Sequence, residues 1–184
     1  MQNDIPLIDC PIDYIFGEAS GKVLNEYMRF PCKILCGVYA FMIKGKARAT
    51  VNITQYDFRE NDLIYLAPNS FFLVHEFSED AQLSYIIFSS SFLEKNAYSI
   101  RRPRLVTVDA CQIVNVTSEQ AKIINDFSQL IEESVNCSPS MLNSERMVHI
   151  YNLVLMVFQE HFLANRDATS KAMDRKTEIY HENS

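Results

Sequence analysis

The spacing of hydrophobic positions changes once along the chain. Between Ile34 and Leu93 the apolar residues form short runs or alternate with polar ones, and clusters of turn residues separate these runs. This pattern is typical of antiparallel strands. From Thr117 onward the apolar residues recur every three or four positions, as they do in helices. The sequence therefore predicts a mainly β fold with a C-terminal α part: a jelly-roll or similar barrel followed by two helices.

The same change of spacing divides the chain into four segments. Residues 1–30 contain several prolines and glycines with few periodic apolar positions, and we expect an irregular leader there. Residues 31–115 are predicted to form the barrel, and residues 116–165 a helical layer. Residues 166–184 are polar and predict a linker.

A hairpin is predicted at the start of the barrel. The apolar run Ile34–Ile43 meets the alternating stretch Ala47–Thr54 across Gly45, which suits a tight turn. Such a hairpin places three pairs on one face: Met42 with Ala49, Ala40 with Val51, and Val38 with Ile53. We assign this face to the barrel interior, where several small side chains leave space for a ligand.

Five residues are candidates for the wall of a ligand pocket, because together they offer apolar surface with a few polar tips. They are Cys36, Met42, Tyr65, His75 and Tyr85. Placing His75 there requires Phe71, Leu73, His75 and Phe77 to point inward, although both faces of this strand are apolar. Two alternatives remain open: His75 is a hydrogen-bonded core histidine, or side chains fill the barrel completely.

The helical layer begins with a capping box at Thr117, which Gln120 completes. A second helix is predicted from Ser138-Pro139 to about Ala164, and its middle is apolar nearly all round. Such a helix needs cover on every side, and a second copy of the chain is one way to supply it. The predicted dimerisation residues are Ile150, Tyr151, Val154, Val157 and Phe158. Complete burial inside one monomer is the alternative.

Composition narrows the choice of partners. A net charge of −6 and a pI near 5.2 argue that this chain does not itself hold DNA, because affinity for nucleic acid comes largely from Lys and Arg. The five cysteines are irregularly spaced, and the N-terminus lacks a charged leader and an apolar run. No stretch approaches the roughly 20 apolar residues of a membrane span. We therefore expect a reduced, cytoplasmic protein without membrane contact.

Residues for catalysis are scarce. The four histidines are scattered without any His-x-His pair, there is no Gly-x-Ser-x-Gly motif, and four glycines supply no phosphate-binding loop. We therefore expect no enzymatic activity, no metal and no cofactor.

The stretch from Gly37 to Glu94 resembles the effector-binding domain of AraC-type transcription regulators. The resemblance lies in Gly45 of the first turn, in Asn61-Asp62-Leu63-Ile64 running into Pro68-Asn69, and in Phe88-Ser89 before Phe92-Leu93. It implies a cupin-like jelly-roll barrel that binds a small effector, two helices that follow it and form a homodimer, and DNA binding by helix-turn-helix units outside this chain. The tail around Arg175–Tyr180 resembles the start of the segment leading to those units. The chain departs from the wider cupin pattern by lacking metal histidines and by having Asn61 where glycine is usual.

Two other functions are compatible with a small barrel. One is a cupin-like enzyme, which stoichiometric iron, manganese or zinc in the purified protein would reveal. The other is a cyclic-nucleotide sensor of the cAMP-receptor type, which also joins a barrel to a dimerisation helix. That sensor uses a glycine-glutamate phosphate loop with a partner arginine, and the sequence contains no such loop.

Overall fold

The computed structural model describes residues 5–27, 30–98, 110–137 and 144–182. Its strands form two five-stranded sheets. In spatial order, sheet 1 consists of β1 (Leu7–Ile8), β3 (Cys32–Ile34), β8 (Ser70–Phe77), β5 (Lys46–Val51) and β6 (Thr54–Arg59). Sheet 2 consists of β10 (Cys111–Asn115), β7 (Asp62–Leu66), β4 (Gly37–Lys44), β9 (Gln82–Phe88) and β2 (Tyr14–Ser20). The chain changes sheet repeatedly, as in a jelly roll, and the predicted fold class is confirmed.

Four helices accompany the sheets: α1 (Gly21–Tyr27), α2 (Ser90–Lys95), α3 (Ser118–Cys137) and α4 (Ser144–Glu182). The capping box before α3 is present, since Gln120 N–H donates to Thr117 Oγ1 at 3.3 Å and Thr117 N–H donates to Gln120 Oε1 at 3.0 Å. The predicted start of the second helix at Ser138-Pro139 lies outside the described residues. Within them, no helix combines the length and apolarity that crossing a membrane demands.

Two segments are more regular than expected. The predicted irregular leader contributes β2, which pairs with β9 from Tyr14↔Phe88 to Ser20↔Gln82. Gly17 leaves room beside this strand for the Tyr85 side chain, since a Cβ there would lie 2.9 Å from Tyr85 Oη. The predicted linker continues as helix, since α4 extends to Glu182.

The predicted hairpin between β4 and β5 is wrong, although the face assigned to most of its residues is right. β4 pairs with β7 and β9, whereas β5 pairs with β6 and β8. The turn at Gly45 is a corner that carries the chain from sheet 2 to sheet 1. Ala40, Met42, Ala49 and Val51 still face the interior, with Val38 packed against them. Ile53 is 97% exposed because it lies in the turn that follows β5.

Gly45 is required at this corner for two reasons. Its φ is +80°, and a Cβ would lie 2.6 Å from the Ala81 Cα. We expect Gly45→Ala to lower the free energy of unfolding by about 2 kcal/mol or more, which urea denaturation can measure. Gly37→Ala is the matched control, because the nearest atom to its Cβ would be a leucine methyl of Leu93 at 3.4 Å. Equal effects of the two substitutions would contradict this account of the corner.

Asn61, which replaces the usual glycine, adopts φ +68°. Asparagine tolerates this left-handed conformation better than most residues, so the departure leaves the turn geometry intact. The neighbouring Asp62 is 2% exposed, and its carboxylate accepts hydrogen bonds from Arg59 N–H and Asn115 Nδ2, both at 2.8 Å. These bonds fix the turn between β6 and β7.

The apolar core has two parts that sheet 2 separates. The interior cluster lies between the sheets and contains Cys32, Ile34, Cys36, Ala40, Met42, Ala47, Ala49, Val51, Phe58, Ile64, Leu66, Phe72, Val74 and Cys111. The seam cluster lies between the outer face of sheet 2 and the helices, and it includes Tyr39, Phe41, Leu63, Tyr65, Ile86, Phe88, Phe92, Ile124, Ile131, Met147, Tyr151, Val154 and Phe158. Both faces of sheet 2 are therefore buried.

Candidate functional site

The structure does not bring the five predicted pocket residues together. Cys36 and Met42 belong to the interior cluster, and Tyr85 packs against it. Tyr65 lies on the opposite face of sheet 2, in the seam cluster. His75 is exposed on the outer face of sheet 1, where its Nε2 lies 2.8 Å from Thr50 Oγ1.

The prediction that Phe71, Leu73 and His75 point inward is wrong, and a β-bulge explains part of the error. Glu76 pairs with Arg48, but the next residue of β5, Ala49, pairs with Val74, so His75 is the extra residue. A bulge breaks the alternation of faces, and Glu76 therefore points outward while Val74 points inward. Phe72 is also buried, whereas Phe71 is 44% exposed.

Side chains fill the barrel interior around its predicted small-residue face. A cavity large enough for water would appear as exposed surface on the side chains that line it. Met42, Ala49 and Val51 are only 1%, 2% and 2% exposed. Two aromatic side chains of the same cluster, Phe58 and Phe72, occupy the interior beside these small residues.

A cleft lies instead between sheet 2 and the helices. Its cavity volume is about 30 Å³, enough for about one or two water molecules, and the groove around it is open to solvent. Its wall on the sheet side comes from β2, β4, β7 and β9, and its other wall from α3 and Phe158 of α4. Tyr85 is the one predicted pocket residue among its lining residues, but its side chain packs on the opposite, interior face of sheet 2. Sequence spacing did not indicate this cleft, because it depends on how α3 is placed over the sheet.

Most side chains that line the cleft are apolar, and its charged side chains are acidic. The apolar lining includes Phe16, Phe41, Leu63, Ile86, Ile124 and Phe158. The polar lining comprises Ser84, Ser128 and Gln129 with two carboxylates, Glu18 and Glu132, and no lysine, arginine or histidine is among the described lining residues.

Three tyrosines connect the cleft to α4. Tyr39, which lines the cleft, has its hydroxyl 3.2 Å from that of Tyr151 on α4. Its ring also contacts Tyr65 and Phe158, each with ring centroids 4.9 Å apart. Burial, with the neighbouring Tyr151, raises the pKa of Tyr39 well above its ordinary value, so its hydroxyl stays neutral. A contact with Tyr39 in the cleft is therefore one hydrogen bond away from the long helix.

The predicted dimerisation residues face their own barrel. Tyr151, Val154 and Phe158 are buried in the seam cluster, and Ile150 and Val157 are partly buried against it. Within a single chain these five are thus core residues, as in the alternative noted above. The exposed apolar residues on the helices are different ones: Ile123 and Leu130 on α3, and Leu153, Met156 and Leu163 on α4.

Among the residues that the structure describes, no group of three or more His, Cys, Asp or Glu is arranged to hold a metal ion.

Comparison with known proteins gives structural neighbours only. No family model and no curated protein sequence matches the chain. Fatty-acid-bound ToxT of Vibrio cholerae, an AraC-family regulator, matches with a TM-score of 0.43 and 11% identity over 84% of this chain and 57% of that one. The Cnp3 cupin domain of Schizosaccharomyces pombe matches with a TM-score of 0.37 and 13% identity over 52% of this chain and 69% of that one. An oxalate decarboxylase of Bacillus subtilis matches with a TM-score of 0.31 and 19% identity over 47% of this chain and 28% of that one.

The chain spans little more than half the length of the ToxT chain that it matches. Regulator and cupin chains are both among the neighbours. All three TM-scores lie below 0.5, and the assignment of the fold rests on the strand order and register of the two sheets.

Proposed function

We propose that this chain is the effector-sensing and dimerisation part of an AraC-type transcription regulator that acts in the cytoplasm. The observation that carries the proposal is the cleft between sheet 2 and the helices, because it adjoins both the sheet and α4. A small molecule bound there contacts the two layers at once. DNA binding belongs to a domain outside this chain, which suits the net charge of −6 here.

The effector site of this proposal is the cleft, with Tyr39 in its wall. Cys36 and Met42 line the filled interior, so an effector that reached them would have to displace core side chains. Entry into the cleft instead requires α3 to move relative to sheet 2. The free-energy cost of moving α3 is smaller than that of opening the filled interior, because α3 is buried on one side only. Ile123 and Leu130 are exposed on its other side.

The signal passes through the tyrosines. An effector that contacts Tyr39 more favourably in one arrangement of α4 than in another shifts the population toward that arrangement. The Tyr39–Tyr151 hydrogen bond connects β4 to α4, so the position of α4 depends on the state of the cleft. A second copy of the chain, packed on the exposed residues of the helices, transmits the change between protomers.

The charges of the cleft indicate the class of effector. Glu18 and Glu132 line it without a lysine, arginine or histidine among the described lining residues. A carboxylate ligand would meet repulsion there, whereas a cation would meet attraction. We therefore propose an effector with an apolar body and a cationic head, unlike the fatty acid in the ToxT structure.

Isothermal titration with two probes that share one tail tests this proposal. Dodecylamine and dodecanoate, each kept below its micelle concentration, both contain twelve carbon atoms and carry head groups of opposite charge, an ammonium and a carboxylate. We expect the amine to bind at least about tenfold more tightly, because attraction of the ammonium and repulsion of the carboxylate, each worth roughly 1 kcal/mol, together exceed the roughly 1.4 kcal/mol that corresponds to tenfold. Glu132→Gln and Glu18→Gln should each reduce this preference.

Glu94→Gln is the control, since Glu94 is an exposed residue of α2 outside the cleft lining. Tighter binding of dodecanoate would contradict the charge assignment alone. Binding of neither probe would remove the cleft as a site for amphiphilic effectors.

A further inference from the structure

Two cysteines that are distant in sequence meet at the end of sheet 1. β1 runs parallel to β3 with the register Leu7↔Lys33 and Ile8↔Ile34. The ladder continues one step further, because Leu35 N–H donates to Ile8 O at 2.8 Å. Continuing this register places Cys10 beside Cys36. Cys10 packs against the interior cluster that contains Cys36, and both cysteines are free.

The thiols of Cys10 and Cys36 differ in exposure and in pKa, as a reactive pair requires. Cys10 is partly exposed, whereas Cys36 is 3% exposed in the interior cluster. The hydrogen bond from Cys36 lowers the pKa of the Cys10 thiol, even though burial and the nearby Asp9 act to raise it. Hydrogen bonding and burial together raise the pKa of Cys36. Cys10 is therefore the more nucleophilic group and also the more accessible one.

The segment that carries Cys10 is held in place from the other side. The Asp9 carboxylate accepts hydrogen bonds from both Ser90 Oγ and Ser90 N–H, the latter at 3.0 Å, and Ser89 N–H donates to Asp13 O at 2.9 Å. These bonds hold the connection between β1 and β2 against the start of α2. Cys10 is therefore already held near Cys36, and its segment does not have to become ordered before the two residues react.

We propose that Cys10 and Cys36 form a redox-responsive pair that hydrogen peroxide converts to a disulfide. The Cys10 thiolate attacks one peroxide oxygen, the O–O bond breaks, and a first water leaves with one proton taken up. The resulting Cys10 sulfenic acid is attacked by the Cys36 sulfur, the S–O bond breaks, and a second water leaves. Two thiols lose two electrons and one peroxide gains them, and a dithiol reductant reverses the change.

The disulfide would join the connection between β1 and β2 to the start of β4. Neighbouring parallel strands lie about 4.8 Å apart, close to the Cα separation that a disulfide spans. Closing a loop of roughly 25 residues restricts the unfolded chain, and we expect the Tm to rise by about 5–10 °C on oxidation. This modification does not depend on the effector cleft.

Intact-mass spectrometry of the peroxide-treated chain, after denaturation, tests the proposal. The native sequence should lose about 2 Da, and non-reducing peptide mapping should link Cys10 to Cys36. Cys10→Ser should abolish the link, and Cys36→Ala should leave a sulfenic acid on Cys10 that dimedone captures. Cys32→Ala and Cys111→Ala are controls, because both thiols belong to the same interior cluster yet lie outside the pair, and they should leave the link intact.

Two results would overturn the proposal. One is a cross-link that survives Cys10→Ser or that maps to other cysteines. The other is a native chain that gains oxygen atoms under peroxide without any loss of about 2 Da.

Discussion

Phe88→Ala is expected to lower the free energy of unfolding by about 3–5 kcal/mol, the range for removing a fully buried phenylalanine. Phe88 is 0% exposed at the centre of the seam cluster. Its ring packs against four others, with centroid distances of 4.6 Å to Tyr151, 5.3 Å to Phe92, 6.3 Å to Tyr39 and 6.4 Å to Phe16. The substitution leaves a cavity between sheet 2 and α4 that neither rigid layer can close.

Urea denaturation followed by far-ultraviolet circular dichroism measures this loss. Phe30→Ala is the matched control, because the same side chain is 73% exposed there and its removal should change the free energy of unfolding by less than about 0.5 kcal/mol. A loss below about 1 kcal/mol for Phe88→Ala would show that the helices do not pack on the sheet through this residue.

The interior face of β4 and β5 was predictable because side-chain alternation is a local property of a strand. Ala40, Met42, Ala49 and Val51 face inward whichever strands they pair with. Pairing itself is not local. A short glycine turn between two apolar runs suits a hairpin and a corner between sheets equally well, and contact of Gly45 with Ala81, far along the chain, decides between them.

The error at His75 has a different origin. Both faces of β8 are apolar, so the single charged residue Glu76 was the only guide to its orientation. A bulge at His75 separates the orientation of Glu76 from that of Val74. No pattern in one strand reveals a bulge, because the extra residue is defined only against the register of the partner strand.

The candidate site was the least predictable part. Tyr85 was identified from its amphipathic side chain, but that side chain packs on the interior face of sheet 2, and the cleft on the other face exists only where α3 lies over the sheet. The apolar content of α4 showed that the helix is covered, yet a helix that is apolar nearly all round does not indicate which side meets its own barrel. Tyr151 and Phe158 were therefore assigned to a partner although they pack on Tyr39.

The exposed apolar residues of α4 define the proposed contact between two copies. Leu153 is 45% exposed and Met156 is 52% exposed, one helical turn apart on the same side of α4. Neither residue belongs to the seam cluster, so a charge at these positions leaves the core of the single chain intact. In a dimer packed on this side of α4, lysines substituted at positions 153 and 156 would lose their water and face the same lysines of the partner, which disfavours association.

We therefore expect the double substitution Leu153→Lys with Met156→Lys to raise the dimer Kd by about 100-fold or more while the thermal unfolding of the monomer changes little. Sedimentation equilibrium over a range of concentrations measures the Kd. Ile53→Lys is the control, because Ile53 is 97% exposed in the turn after β5, on sheet 1 rather than on the helices. An unchanged Kd in the double variant, or dissociation caused by Ile53→Lys, would place the contact between copies on another surface and separate dimerisation from the movement of α4.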